Sequence, residues 1–464
     1  MVFSSSEFLL LFLPAVLLAY YFPIKNNAYK NVILLAASLM FYAWGEPVFV
    51  FVMLFSIIIN WVLALLIERN TNKRGRKALL ILSLVWNVAL IGVFKYLGFI
   101  SENISLLLKN DALTIRIALP IGISFFTFQI ISYVIDVFRR DVKAQKNPFL
   151  FALYISIFPP LIAGPIVRYS TVAEEITSRR IDPADITRGF SRFTIGLAKK
   201  LFIANYVGYI ADKIFDYSAS GGPISVAAAW LGAAAYALQL YHDFSGYSDM
   251  AIGLGLMFGF HFPENFNHPF AAKSVREYWT KWHITLSNWF RDYVYIPLGG
   301  NRKSPRRTYL NMLVVWLLTG LWHGANWTFI VWGLFFFCFL FLERKTEFHK
   351  RLGHFGHAYV ILVVVLVHVC FRAKSLTFAF DYYLAMFGAG GAFVDDLFLM
   401  FIRNGAFPLI VGAICSLPVL PAIKAKLPAK ATDILSGLSV AVLFILAIMA
   451  IQHDAYSPFI YFNF

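Results

Sequence analysis

The run from Tyr309 to Leu342 is almost wholly apolar and long enough to enter a lipid bilayer. Such a run restricts a chain severely. Hydrocarbon offers no partner to backbone N–H and C=O groups, so a segment inside it must be helical or shielded by protein. In the middle of the run stands Leu321-Trp322-His323-Gly324-Ala325-Asn326-Trp327. An imidazole is costly in hydrocarbon and normally faces a cavity or a partner there. Its charge also changes near neutral pH. His323 is therefore a candidate site residue, and the alternative is a core histidine bonded to helix backbone.

The rest of the chain fits a membrane setting. It is 59% hydrophobic and 14% charged, with mean hydropathy +0.69, where a soluble domain would be about a quarter charged. Apolar segments run from end to end with no long polar linker. We read one polytopic all-α domain over 1–464, with N-terminal helices in 1–140, a core with re-entrant segments in 141–345 and C-terminal helices in 346–464. Cys338, Cys370 and Cys415 lie in apolar stretches, so neither a disulfide framework nor a metal site is expected. The net charge of +15 falls in short basic clusters between apolar segments. That is the positive-inside pattern of a membrane protein rather than a nucleic-acid surface.

The clusters give a topology. They are Arg69, Lys73, Arg74, Arg76 and Lys77; Arg139, Arg140, Lys143 and Lys146; Arg302, Lys303, Arg306 and Arg307; Arg344, Lys345, Lys350 and Arg351; and Lys424, Lys426 and Lys430. All five are placed in the cytoplasm. Candidate spans lie at roughly 7–22, 31–45, 48–68, 78–100 and 115–138, with a last one at 434–452. Three spans before the first cluster and one after the last put both termini outside. Met1–Glu7 lacks the positive charge of a signal peptide.

The middle is less regular. Phe158-Pro159-Pro160-Leu161-Ile162-Ala163-Gly164-Pro165 cannot continue a straight helix, and a re-entrant pair over 149–167 fits, returning to the cytoplasm near Arg168. The run 309–342 is too long for one span and has basic clusters on both sides. Two crossings, or a re-entrant hairpin, would bring His323 to the turn. Internal repeats, which many secondary transporters carry, are not seen.

The segment 273–300 sets His283 among Trp279, Trp282 and Trp289, with Arg276, Glu277, Lys281, Arg291 and Asp292 close by. It is too charged for a lipid-facing span and too aromatic for an ordinary loop. A segment at or dipping into the interface suits both facts; a plain belt of interfacial aromatics with His283 facing headgroups is the alternative. His242, in Tyr241-His242-Asp243-Phe244-Ser245-Gly246-Tyr247-Ser248-Asp249, resembles a Ser/His/Asp set only superficially. No nucleophile-elbow spacing accompanies it, and Gly and Ser there suit close helix approach. The remaining histidines, His368 among them, read as solvated or interfacial residues at segment ends.

These residues together carry a resemblance. Leu119-Pro-Ile-Gly-Ile-Ser-Phe-Phe-Thr-Phe-Gln129, Phe158-Pro-Pro-Leu-Ile-Ala-Gly-Pro-Ile-Val-Arg168 and Asp243-Phe-Ser-Gly-Tyr-Ser-Asp-Met-Ala-Ile-Gly253 are three of its motifs. Phe262-Pro-Glu-Asn-Phe-Asn267 continues through Trp282-His283 to Gly299-Gly300-Asn301-Arg302. Trp322-His323-Gly324 and the tail Pro458-Phe-Ile-Tyr-Phe462 complete the set. The chain resembles the membrane-bound O-acyltransferases, in the subgroup of bacterial alginate O-acetylases and D-alanyl transfer proteins.

The resemblance implies about eleven spans with re-entrant or interfacial helices around a central catalytic tunnel. It implies a bacterial inner-membrane enzyme that moves acetyl from a cytoplasmic thioester, acetyl-CoA or an acyl carrier protein, to an extracytoplasmic protein or polysaccharide, alginate first. The thioester is a substrate, and no tightly bound cofactor is expected. The essential family histidine falls on His323, and a second falls on His283. A neutral imidazole can take the acceptor hydroxyl's proton, and an oxyanion needs donors. His323 is the candidate base; His283, Asn326 or a Trp ring N–H could serve the oxyanion, and Trp322, Trp282, Trp279 and Asn288 are candidate substrate contacts. Other acceptors, namely peptidoglycan, another glycan or teichoic acid taking D-alanine, stay open, as does a proton-coupled transporter. If the two histidines share a site, their rings should lie within about 15 Å, and a larger separation would leave His323 working alone.

Overall fold

The computed structural model describes residues 1–24, 26–389, 391–453, 459 and 460. Ser457, expected outside the membrane, and Pro458, Tyr461 and Phe462 of the tail motif lie outside the described residues. Among the described residues regular structure is helical throughout, with no strand. Six helices there are long and apolar enough to cross a membrane: Phe49–Arg69, Lys73–Leu108, Trp327–Thr346, Phe355–Arg372, Asp396–Cys415 and Ala429–Gln452. The chain is a multi-pass membrane protein. It divides into two compact units, one of residues 1–193 and 248–263, the other of 194–247 and 264–464.

In the first unit the expected N-terminal spans are helices, with shifted ends. Lys73–Leu108 runs well past 100 as one apolar rod. The helix expected from 115 begins only at Ile123. Pro120 cannot donate within a helix, and Gly122 takes φ +75° directly before the first turn. The two helices Phe49–Arg69 and Lys73–Ile91 share a buried polar knot. Ser83 Oγ donates to Asn60 Oδ1 at 2.6 Å, and Asn87 Nδ2 donates to the same oxygen at 2.8 Å. Side-chain pairs of this kind fix helix contacts where lipid gives no hydrophobic drive. Arg76 Nη2 donates to Phe138 O at 2.6 Å, so the basic clusters 69–77 and 139–146 meet at one end of this unit.

The proline-rich stretch is broken as expected. The helix Pro148–Ser156 stops, Ile157 leaves the helical region at ψ 117°, and Phe158–Leu161 forms one further turn. Every residue from Leu153 to Val167 is buried. The broken backbone is satisfied by protein: Phe158 N–H donates to Ser38 Oγ at 3.1 Å, and Val167 O accepts from Tyr154 Oη at 3.0 Å. Phe3, Phe8, Phe12, Phe41 and Phe158 pack as the core beside it.

In the second unit the run 309–342 is a helical hairpin, Pro305–His323 followed by Trp327–Thr346. Two glycines allow the helices to touch. A Cβ on Gly320 would lie 2.4 Å from Phe329 O, and one on Gly333 would lie 2.4 Å from Trp316 O. His323 is the last residue of the first helix.

Candidate active site

His283 is held by the pairing of two short segments. Ile284 N–H donates to Asn265 O at 3.0 Å, and Asn267 N–H donates to Lys281 O at 2.9 Å. Between the helices Val275–Lys281 and Ile284–Phe290, His283 takes the left-handed conformation, φ 42° and ψ 54°. Such backbone costs about 1–3 kcal/mol in a non-glycine residue and persists where surroundings enforce it. The segment is anchored from the hairpin. The buried Glu343 carboxylate accepts from Val275 N at 2.6 Å and Arg276 N at 3.0 Å, capping the helix that leads to His283. An anion at a helix N-terminus complements the exposed N–H groups and the helix dipole.

The His283 ring is fully buried, which excludes the headgroup-facing alternative. Its Nδ1 lies 3.0 Å from Asn265 Oδ1. The same oxygen accepts from Thr285 Oγ1 at 2.9 Å and Thr285 N at 3.3 Å. A backbone N–H can only donate, so the atom is the amide oxygen and Nδ1 carries the proton. In the neutral imidazole Nε2 then holds a lone pair. It makes no hydrogen bond among the described residues.

His323 is 2% exposed and lies in a cage of rings. Trp322 and Trp332 stand 4.9 Å from it centroid to centroid, and Phe371 stands 5.1 Å away. Trp322 also faces His283 at 5.7 Å. The steps of 5.7 Å and 4.9 Å laid end to end bound the separation of the two histidine rings at about 11 Å, inside the limit set above. Gly324 is required by the same packing, since a Cβ there would lie 2.2 Å from the Phe329 ring.

The other candidate residues divide. Trp282 is buried against Tyr278, Phe266 and His368. Trp279 packs on Trp316 at 4.7 Å and on Trp332 at 5.8 Å. Asn326 caps the second hairpin helix: Oδ1 accepts from Thr328 N, and Nδ2 donates to Lys374 O at 3.1 Å. Its oxygen and one of its two N–H groups are thus engaged by backbone. Asn288 is half-buried on the helix Ile284–Phe290.

Several residues of this cluster escaped the motif reading. Asn265 lies in Phe262-Pro-Glu-Asn-Phe-Asn267, where nothing local marks it as a partner for an imidazole. Trp332 stands on the second hairpin helix, while Phe371 and Phe244, whose ring meets His283 at 4.7 Å, come from distant helices. The indole N–H groups of Trp332 and Trp279 are buried and make no hydrogen bond among the described residues. His368 corrects the placement at a solvated segment end. It is buried, with Nδ1 2.6 Å from Val364 O one turn back. That bond satisfies one ring nitrogen and lets the imidazole enter the aromatic cluster. His242 is bonded elsewhere, through Nε2 to Gly412 O at 2.9 Å and Ser416 Oγ at 3.2 Å. Asp243 pairs with Lys200, so no Ser/His/Asp relay forms.

The model of the membrane-bound O-acyltransferase family matches residues 77–380, which include both histidines and most of the cluster. The chain belongs to that family. It is an O-acyltransferase. A probable alginate O-acetylase of Pseudomonas putida is 38% identical over the full length of both chains. One of Pseudomonas aeruginosa is 44% identical over 84% of this chain and 75% of its own. A peptidoglycan O-acetyltransferase of Helicobacter pylori is 36% identical over 84% of this chain and 80% of its own.

Proposed function

We propose that this enzyme moves an acetyl group from a cytoplasmic thioester across the bacterial inner membrane for O-acetylation of an exopolysaccharide, alginate. The observation that carries the reading is the buried pair His283 and His323 bridged by Trp322, in a family of acyltransferases. Alginate is the acceptor suggested by the Pseudomonas relatives. The donor is acetyl-CoA or an acetylated carrier protein, attracted by the basic clusters. The acetyl group passes to an outward protein or to the polysaccharide itself. The basic clusters support outside termini, and so an even number of full crossings; the family resemblance supports a helical ring around a central tunnel.

In this reading His323 takes the proton as the acceptor oxygen attacks the thioester carbonyl and the C–O bond forms. The C–S bond then breaks, and the leaving thiolate takes that proton back. His283, fixed with its lone pair on Nε2, accepts a hydrogen bond from a second donor of the acceptor molecule and aligns it, leaving the attacking hydroxyl's proton to His323. That tautomer has its one proton engaged by Asn265, and Asn326 is held at the start of its helix by backbone bonds. The Trp332 indole N–H, next to His323, takes the oxyanion role. Replacing the corresponding gene in an alginate producer with the one for this chain, and measuring polymer-bound acetate by mass spectrometry, tests the assignment. Restored acetate supports it. Unacetylated alginate with acetylated peptidoglycan favours the second reading, which the Helicobacter relative suggests. Substrate movement without thiol release would indicate a transporter.

A further inference from the structure

The tail motif has no part in the mechanism above, yet its described residues end on a buried ion pair. Lys200 Nζ lies 2.7 Å from Asp243 Oδ1, with side chains 4% and 2% exposed. Their helices touch at Gly246, where a Cβ would lie 2.8 Å from Gly196 O. Burying two charges costs several kcal/mol for each ion, and the pair persists only when its remaining lone pairs and protons find partners. The C-terminal segment supplies them. Ile460 N–H donates to Asp243 Oδ2 at 2.7 Å. The Lys200 ammonium sits 4.7 Å from the centre of the Phe459 ring, a cation–π contact strengthened by burial. Phe459 is 1% exposed and meets Tyr247 edge-on at 5.0 Å.

Asp243, Phe244 and Tyr247 share one stretch of the helix Val226–Met257. Phe244 is the residue whose ring stands edge-on against His283 at 4.7 Å. We propose that Phe459 and Ile460 are positioning residues: seated on the Lys200–Asp243 pair, they hold Phe244 against His283, so acyl transfer requires these two residues in their seat. The proposal rests on the reading that His283 belongs to the active site. Unseating the tail leaves a buried carboxylate short of a donor, and the helix must shift to let in water or a new partner. A misplacement of about 1 Å at a reacting group can cost on the order of 10²-fold in rate.

The test uses the full chain in vesicles and measures thiol release per folded molecule. Phe459→Ala and Asp243→Asn are expected to lower kcat about 10- to 10²-fold while KM for acetyl-CoA stays near the wild-type value. Phe459→Trp keeps a ring face for Lys200 and should recover most of the rate. Phe459→Leu fills the space without one and should not. A merely structural tail would lower yield and melting temperature in these variants and leave kcat per folded molecule unchanged, which overturns the proposal. His283→Ala is run alongside. If it retains activity, the site reading has failed; if it is inactive while Phe459→Ala turns over normally, the tail proposal alone has failed.

Discussion

Replacing Asn265 by alanine removes one oxygen that accepts three hydrogen bonds, from His283 Nδ1, Thr285 Oγ1 and Thr285 N. The Thr285 hydroxyl can rotate to another acceptor, whereas the two N–H donors cannot. Each buried donor left unsatisfied costs about 1–3 kcal/mol, so the fold should lose roughly 2–6 kcal/mol through this site alone. The effect on rate has a separate cause. Without Asn265 the His283 ring keeps its place in the aromatic packing but loses the bond that selects its tautomer. Loss of an orienting partner typically costs about 10–10²-fold, and imposing the wrong tautomer on a catalytic histidine can cost about 10⁴. Asn265→Ala frees the tautomer without imposing the wrong one, so about 10–10²-fold is expected. Purified variants in vesicles, given a radiolabelled acetyl thioester, would be assayed for thiol release and normalised to folded protein. Asn265→Asp keeps an acceptor at the same place and should retain more activity than the alanine variant. A well-folded Asn265→Ala enzyme with wild-type turnover would refute the claim that His283 works in a fixed tautomer.

Trp332→Phe keeps the cage around His323 and deletes its indole N–H. It should lower kcat about 10²–10³-fold if that group meets the oxyanion, with little change in melting temperature, as steady-state kinetics beside a thermal-shift assay would show. A single cysteine at Gly75 should be protected from an impermeant thiol reagent in intact cells and labelled after permeabilisation, if the basic segment 69–77 is cytoplasmic as proposed. His261 Nδ1 lies 2.7 Å from Glu175 Oε1, and Nε2 lies 3.3 Å from Asp185 Oδ2. The Glu175 hydrogen bond, followed by the nearby carboxylate charges, raises the imidazole above its ordinary 6.5. A raised value means that the stabilisation is complete below 6.5 and is lost as pH rises through the folded value. The melting temperature of His261→Gln should therefore fall furthest below wild type near pH 6 and converge with it in alkaline buffer.

The apolar runs, the proline break and the hairpin around His323 could all be read from order along the chain. Each depends on local chemistry: hydrocarbon length, a missing N–H, and an imidazole flanked by glycine. The residues that build the site could not be read that way. Asn265 meets His283 only because two short segments pair, and nothing local in Pro-Glu-Asn-Phe-Asn announces an acceptor for an imidazole. Glu343 looks like the charged end of an apolar helix, yet it caps a helix 68 positions earlier. His368, four residues before Arg372, reads as a segment end, while its bond to Val364 O lets it sit inside. Asn326 invites a catalytic role by its closeness to His323, and its position at a helix start commits it instead to capping. The fold followed from solvation and backbone rules, and the site followed from contacts between distant segments.

His323→Ala is the most direct test of the central claim that a buried imidazole at the hairpin turn is the base for acyl transfer. The measurement is thiol release from acetyl thioester by purified, folded enzyme in vesicles, with surface acetate in cells as the companion readout. Removing the base should lower the rate about 10²–10⁴-fold, with insertion and melting behaviour preserved well enough to recover folded protein. A well-folded His323→Ala enzyme that releases thiol and acetylates its acceptor at the wild-type rate would contradict the account.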